Sequence, residues 1–400
     1  MSHPPDDPRP NGSRGFRDPG ASLRQRIAEE IRRTERIPFS RYMERCLYEP
    51  ELGYYSRARE QFGKGGDFYT SSDVHAVFGR LLARQFEEMW RVLDSPARLD
   101  LIELGPGRGL FARDVLDWSA RQFPEFSEAL YYVLVEQSEH LRAKLQERLA
   151  EHVAAAKCRV FSSIEAAADE LARAASEHVI LFANEFFDAL PVEVVDYRGS
   201  VRVGIEQGRF VESFVPPSAE ENDFLDRYGI HPEAGERVEV SLASLPWMDR
   251  IAEVFRGRRG FAILIDYGYT REEQLAGRHR DTLMTYREHT ASPSPYEAPG
   301  QQDITAHVNF TALRKRAEER GFEPLALLTQ AQFLLGIGEE TQFADAFQGC
   351  RLPQEQAKVA LQLKHLISPS GMGEAFQVLL MSHNVAGGRT RGLAGLKLAH

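Results

Sequence analysis

The chain has 400 residues, a formal net charge of −10 from 49 basic and 59 acidic side chains, and 42% hydrophobic residues. That length and apolar content can build an α/β domain with additions and a sizeable core. The acidic balance lacks the basic footprint of a nucleic-acid binder. Cys46, Cys158 and Cys350 are scattered without metal-ligand spacing and read as thiols of a reducing compartment. No apolar run approaches the roughly 18–20 residues of a membrane span. The N-terminus carries Asp6, Asp7 and Asp18 without an apolar core, unlike a signal or acid-poor transit peptide, so the expected location is cytoplasmic.

In chain order, residues 1–21 are rich in Pro, Gly, Asp and Arg and are expected to be disordered. Residues 22–95 read as a helical N-terminal cap. Leu23, Ile27 and Ile31 share one helix face, Ser40 is the expected N-cap of a helix over 41–48, and Pro50–Tyr55 is a turn. In the Gly-rich loop that follows, Asp67, Tyr69, Thr70 and Ser71 suit closure over something polar, or simply a solvated loop. From Val74 the apolar residues at 74, 77, 78, 81, 82, 86, 89, 90 and 93 mark an amphipathic helix whose stripe is core.

Leu99–Gly109 reads as a buried strand, a glycine turn and a helix start, the cradle geometry of an open α/β sheet. A dinucleotide fingerprint wants glycines at positions one, three and six; here they are Gly105, Gly107 and Gly109, and Leu110 holds position six. With Glu103 two residues before the first glycine, the spacing looks like motif I of class I S-adenosylmethionine-dependent methyltransferases; NAD-type binding and a structural turn stay open. A second apolar run, Tyr131–Val135, ends in Glu136, where a carboxylate can grip a ribose diol.

Helices are expected over 138–150 and 163–175, with strands at Cys158–Phe161 and His178–Ala183. The last exits through Asn184-Glu-Phe-Phe-Asp-Ala-Leu-Pro191, two carboxylates and an amide at the end of a central strand, where open α/β sheets bind ligands. About 192–258 reads as a β-rich insertion, with 216–235 irregular. Phe261–Ile265 is a fifth strand ending in Asp266. Asp303, Thr305, His307 and Asn309 either line a site or close a loop. A helix runs from Phe310 to Gly321, strands follow at Pro324–Thr329 and Glu374–Met381, and 386–400 reads as a flexible tail.

Together these segments resemble the MidA-type family, which includes the mitochondrial complex I assembly-factor methyltransferases. The matching stretches are Gly66–Ser71, Glu103–Gly109, Asn184–Pro191, Ile265–Gly268, Asp303–Phe310 and Met372–Phe376, in family order over roughly 22–385. Two positions depart from the pattern: Asn309 stands where Asp is expected, and Ser72 where proline is usual. The resemblance implies an α/β, Rossmann-like class I methyltransferase core (about 96–385) with a mixed sheet, a helical cap and an inserted β element.

It also implies S-adenosylmethionine as cofactor and methylation of an arginine on a partner protein, a respiratory-complex subunit in the mitochondrial members. Glu103, Gly105, Gly107, Gly109, Glu136 and Asn184 would then hold the cofactor, with Asp67, Tyr69, Thr70 and Ser71 closing over it. A guanidinium acceptor is charged at neutral pH. Glu185, Asp188 and Asp266, ending central strands, are the expected orienting carboxylates, and His307 a candidate proton acceptor. No metal is expected. A small-molecule methyltransferase and a non-catalytic cofactor-binding assembly factor remain alternatives.

Overall fold

The computed structural model describes residues 19–57, 76–287, 290–291 and 294–399. The expectations placed on residues 1–18, on Asp67, Tyr69, Thr70 and Ser71, and on Ser72 lie outside these residues.

Seven strands form the central sheet: β1 (Leu99–Leu104), β2 (Leu130–Val135), β3 (Cys158–Phe161), β4 (His178–Asn184), β5 (Arg259–Tyr269), β6 (Glu323–Thr329) and β7 (Phe376–His383), in the order β3-β2-β1-β4-β5-β7-β6. β1 to β5 run parallel, whereas β7 is antiparallel to both β5 and β6. A short strand, Val308–Asn309, pairs with the end of β5.

Parallel strands need cover on both faces, which is why they read as continuous apolar runs. On one face Leu101, Phe182 and Ile263 pack with Phe78, Leu82 and Phe86 of helix Ala76–Val92 and Phe111 and Val115 of helix Leu110–Gln122. On the other, Ile102, Leu181 and Leu264 pack with Leu171, Met248, Ile251 and Leu313 from helices Ile164–Arg173, Ser244–Val254 and Phe310–Glu319. This is the mixed, Rossmann-like α/β sheet expected from the sequence.

The periphery differs from expectation. Helices Pro19–Thr34 and Phe39–Tyr48 do not form a separate cap. Leu23, Ile27, Phe39 and Tyr42 share one apolar cluster with Val194, Val201 and Val203 of the insertion. Strand Ile37–Pro38 joins the inserted sheet beside Gly199–Glu206, with Ile37 opposite Val203. Cap and insertion are thus one body, while helix Ala76–Val92, expected in the cap, belongs to the main core. The β-rich insertion ends at Val240, because the helix after it carries Met248 and Ile251 into the sheet core.

Three local expectations are corrected. Residues 216–235 are not irregular: Ser218 and Glu221 form a capping box that starts helix Ala219–Tyr228, which buries Phe224, Leu225 and Tyr228. The helix at Phe39 begins after Pro38 without a side-chain cap, and the Ser40 hydroxyl donates to Glu193 instead. The 386–399 segment is not loose: Leu393 and Ala394 are buried, and the N–H groups of Ala394 and Gly395 donate to Glu88 Oε2 (3.0 Å) and Gln85 Oε1 (2.8 Å). The buried residues Thr390, Leu393, Ala394 and Gly395 carry no periodicity to announce such docking.

Candidate functional site

At the carboxyl ends of β1, β2 and β4 lies an open cavity of about 1180 Å³. Its position, where strand order reverses between β1 and β4, is the ligand crevice of open α/β sheets. Gly105, Pro106 and Gly107 line it after β1, Glu136 to Ser138 after β2, and Asn184, Glu185, Phe186 and Asp188 after β4.

The three glycines answer different demands. Gly107 has φ +50° and lines the cavity, and a Cβ added there meets nothing within 4 Å. Gly109, at φ +70°, is the N-cap of helix Leu110–Gln122, and its Cβ would come within 2.5 Å of Leu145 Cδ2. Gly109 is a packing residue absent from the cavity lining. Gly105, at φ +63°, sits beneath the Phe186 ring.

Glu103 is buried at the end of β1 and accepts a hydrogen bond from Tyr132 Oη at 2.8 Å. Burial pushes its carboxyl up to about 8. Burial likewise raises Glu136 to about 7, opposed by backbone N–H groups including that of Ser138, which donates to Oε1 at 2.8 Å. Asn184 donates from Nδ2 to Glu185 Oε1 (3.1 Å), and its own Oδ1 is buried with no hydrogen-bond partner among the described residues. Two carboxylates held near neutrality by desolvation, an orphaned amide oxygen and an open glycine turn fit a nucleoside with hydroxyl and amino donors and no phosphate.

The other expected residues divide. Glu185, at φ +52°, and Asp188 line the cavity. Asp188 is buried, accepts from Thr305 Oγ1 at 3.0 Å, and is raised by burial. Asp266 does not line the cavity. Its Oδ2 accepts from the backbone N–H groups of Phe186 (3.1 Å), Phe187 (2.9 Å) and Asp188 (3.2 Å), stapling the turn after β4 to the end of β5. Burial and the neighbouring Asp188 and Glu185 carboxylates raise it. His307 is also off the lining: its Nδ1 lies 3.2 Å from His279 Nδ1, its ring stacks with Tyr267, and burial lowers it to about 4.

Asn309 acts structurally. Its Oδ1 caps helix Phe310–Glu319 by accepting from Ala312 N–H (3.0 Å), and its Nδ2 donates to the Tyr228 carbonyl (2.9 Å). An aspartate could cap but could not donate, which accounts for the amide here.

Sequence reasoning passed over Tyr48, Tyr54, Tyr55 and Trp247, which also line the cavity. The tyrosines are placed by the end of helix Phe39–Tyr48, whose carbonyls of Cys46 and Leu47 accept from Tyr54 and Tyr55 N–H at 2.9 Å each. The only available signal was the aromatic pair in the Pro50–Tyr55 turn.

Residues 81–327 match the family described as "Putative S-adenosyl-L-methionine-dependent methyltransferase". A relative named protein arginine methyltransferase NDUFAF7 homolog, mitochondrial, from Drosophila melanogaster is 30% identical over 382 residues, covering 90% of this chain and 84% of that one. The Homo sapiens protein arginine methyltransferase NDUFAF7, mitochondrial, is 26% identical over 412 residues, covering 95% and 88%. A Burkholderia thailandensis protein, crystallised with S-adenosyl-homocysteine, superposes with a TM-score of 0.79 at 31% identity, covering 95% of both chains. The strand order, the cradle chemistry and these likenesses agree: the chain belongs to the MidA-type family of class I S-adenosylmethionine-dependent methyltransferases.

Proposed function

We propose that the protein transfers a methyl group to an arginine side chain of a partner protein. The observation that carries this reading is Asp188: a buried carboxylate on the cavity wall, beside the cofactor cradle, with no ion-pair partner among the described residues. A buried carboxylate without a counter-charge is costly, and a guanidinium offers one with matching hydrogen-bond geometry. The names of the relatives support the same acceptor.

Glu103, Gly105, Gly107, Glu136 and Asn184 would hold the cofactor. Bound there, S-adenosylmethionine supplies an electrophilic methyl group on a good leaving group. The protein's task is then positioning and exclusion of water. Asp188 and Glu185 would accept hydrogen bonds from the guanidinium, aim one nitrogen, and take up the proton that nitrogen loses as its bond to carbon forms. Asp266 holds both by fixing their backbone turn.

The test is to incubate the purified protein with methyl-labelled S-adenosylmethionine and candidate partner proteins, beginning with subunits of a respiratory complex, and hydrolyse the products. Label in ω-methylarginine that is lost with Asp188→Ala supports the reading. Label confined to small molecules, or to another side chain, overturns it.

A further inference from the structure

The cavity wall also carries side chains outside the set assigned to the cofactor cradle, among them Tyr48, Tyr54, Tyr55 and Asp303. Tyr48 and Tyr55 face each other with ring centroids 5.6 Å apart and planes inclined by 31°, and Tyr54 packs edge-on to Tyr55 at 5.2 Å. Both facing phenols have spent their hydroxyl protons on the protein: Tyr48 Oη donates to the Ala189 carbonyl at 2.8 Å, and Tyr55 Oη donates to Asp303 Oδ1 at 2.9 Å. What these side chains can still offer a ligand is chiefly ring face and edge. Asp303, bonded to Tyr55, and Asp188 are both buried and both on the cavity wall. The two carboxylates are joined through one short strand, Asp303–Thr305: Thr305 Oγ1 donates to Asp188 Oδ2 at 3.0 Å, and Ala306 N–H donates to the Asp188 carbonyl at 3.1 Å.

Aromatic faces and buried carboxylates together attract cations. Between the two cationic side chains of proteins, guanidinium is planar, more weakly hydrated and able to meet carboxylates bidentately, whereas ammonium is a compact, strongly hydrated charge. The phenols stay neutral: burial and the Asp303 and Asp188 charges, joined at Tyr48 by that of Glu136, hold Tyr48 and Tyr55 well above their ordinary range.

We propose that Tyr48, Tyr55, Asp188 and Asp303 form the subsite that selects the guanidinium of the acceptor, with Asp303 as the positioning residue that fixes Tyr55. The inference rests on the arginine reading above and names the residues that make the choice against lysine.

The experiment is calorimetric titration of the protein saturated with S-adenosylhomocysteine, using N-acetyl-arginine amide and N-acetyl-lysine amide as probes. The arginine probe is expected to bind about tenfold tighter than the lysine probe. Tyr55→Phe, which keeps the ring and cuts its bond to Asp303, should lower that ratio severalfold. Asp303→Asn should bring the ratio towards one. Both variants should leave S-adenosylhomocysteine affinity within about twofold, since neither residue belongs to the cradle. A merely structural role would not move the arginine-to-lysine ratio.

Absence of arginine-probe binding to the wild type, or a ratio unchanged in both variants, overturns the proposal. So does a loss of S-adenosylmethionine affinity without loss of S-adenosylhomocysteine affinity, because the subsite would then serve the sulfonium charge. If ω-methylarginine is the product while the ratio is unmoved, the subsite assignment fails and the arginine reading stands. Label on another acceptor defeats the arginine reading itself.

Discussion

Gly107 and Gly109 share a left-handed backbone and a place in one short motif, yet substitution should separate them. A Cβ added at 107 meets nothing within 4 Å, and the left-handed backbone adds strain of about 1–2 kcal/mol. A valine there would, however, occupy the cradle. Gly107→Val should therefore unfold within a few degrees of the wild type and show no calorimetric binding of S-adenosylmethionine. Gly109→Val adds to the same strain a contact of 2.5 Å with Leu145, in the core between helices Leu110–Gln122 and Glu139–Arg148. Overpacking there should cost a further 1–3 kcal/mol or so, read as a lower denaturation midpoint even without ligand. Glu136 adds a pH dependence. Its carboxyl is raised to about 7 by desolvation, so it is largely protonated at pH 6 and largely ionised at pH 8. Ribose hydroxyls donate best to the ionised form, so cofactor affinity should rise across that interval by up to about tenfold, with protons released on binding. Titrations in two buffers of different ionisation enthalpy measure both, and Glu136→Gln should flatten the profile.

At the scale of elements, the cradle was legible because strand, glycine turn and acid lie within eleven residues of chain. The strand-four exit was legible for the same reason: its carboxylates follow an apolar run. What could not be read was which carboxylate faces the cavity and which faces the backbone. Asp188 follows β4 and Asp266 lies near the end of β5, yet Asp266 lies under the neighbouring turn and bonds three of its N–H groups. That division depends on how β4 and β5 align, with Asn184 opposite Ile265, a register no local pattern encodes. The consequence is measurable. Asp266→Ala leaves those N–H groups without their acceptor and should cost about 1–3 kcal/mol in chemical denaturation. It should also slow methyl transfer through the displaced Glu185 and Asp188, while Asp266→Asn, which keeps an acceptor oxygen, should lose less of both. The tyrosine wall was equally hidden, because Tyr54 and Tyr55 reach the cavity only through carbonyls left open at a helix end.

For the molecule as a whole, the unexpected feature is that segments about 150 residues apart in sequence make one body. Strand Ile37–Pro38 pairs with Gly199–Glu206, and Leu23, Ile27 and Tyr42 are buried against Val194, Val201 and Val203. The sequence showed a helical region and an alternating region, each with an apolar face, and gave no sign that the faces cover each other. This arrangement places the Tyr48–Tyr55 wall on a body different from the β4 exit that bears Asp188. The two are tied by few bonds: Tyr48 Oη to the Ala189 carbonyl, and Thr305 Oγ1, on the strand whose Ile304 shares the N-terminal cluster, to Asp188. Proteins open in cooperative units defined by shared burial. Native-state hydrogen exchange should therefore show amides of 23–47 and of 193–240 opening together, with one free energy lower than that of β1, β4 and β5. Destabilising the shared cluster through Val203→Ala should lower both sets by the same amount, about 1–3 kcal/mol, and leave the central strands unmoved. Separate responses of the N-terminal helices and the inserted strands would mean that the tyrosine wall and the insertion open independently.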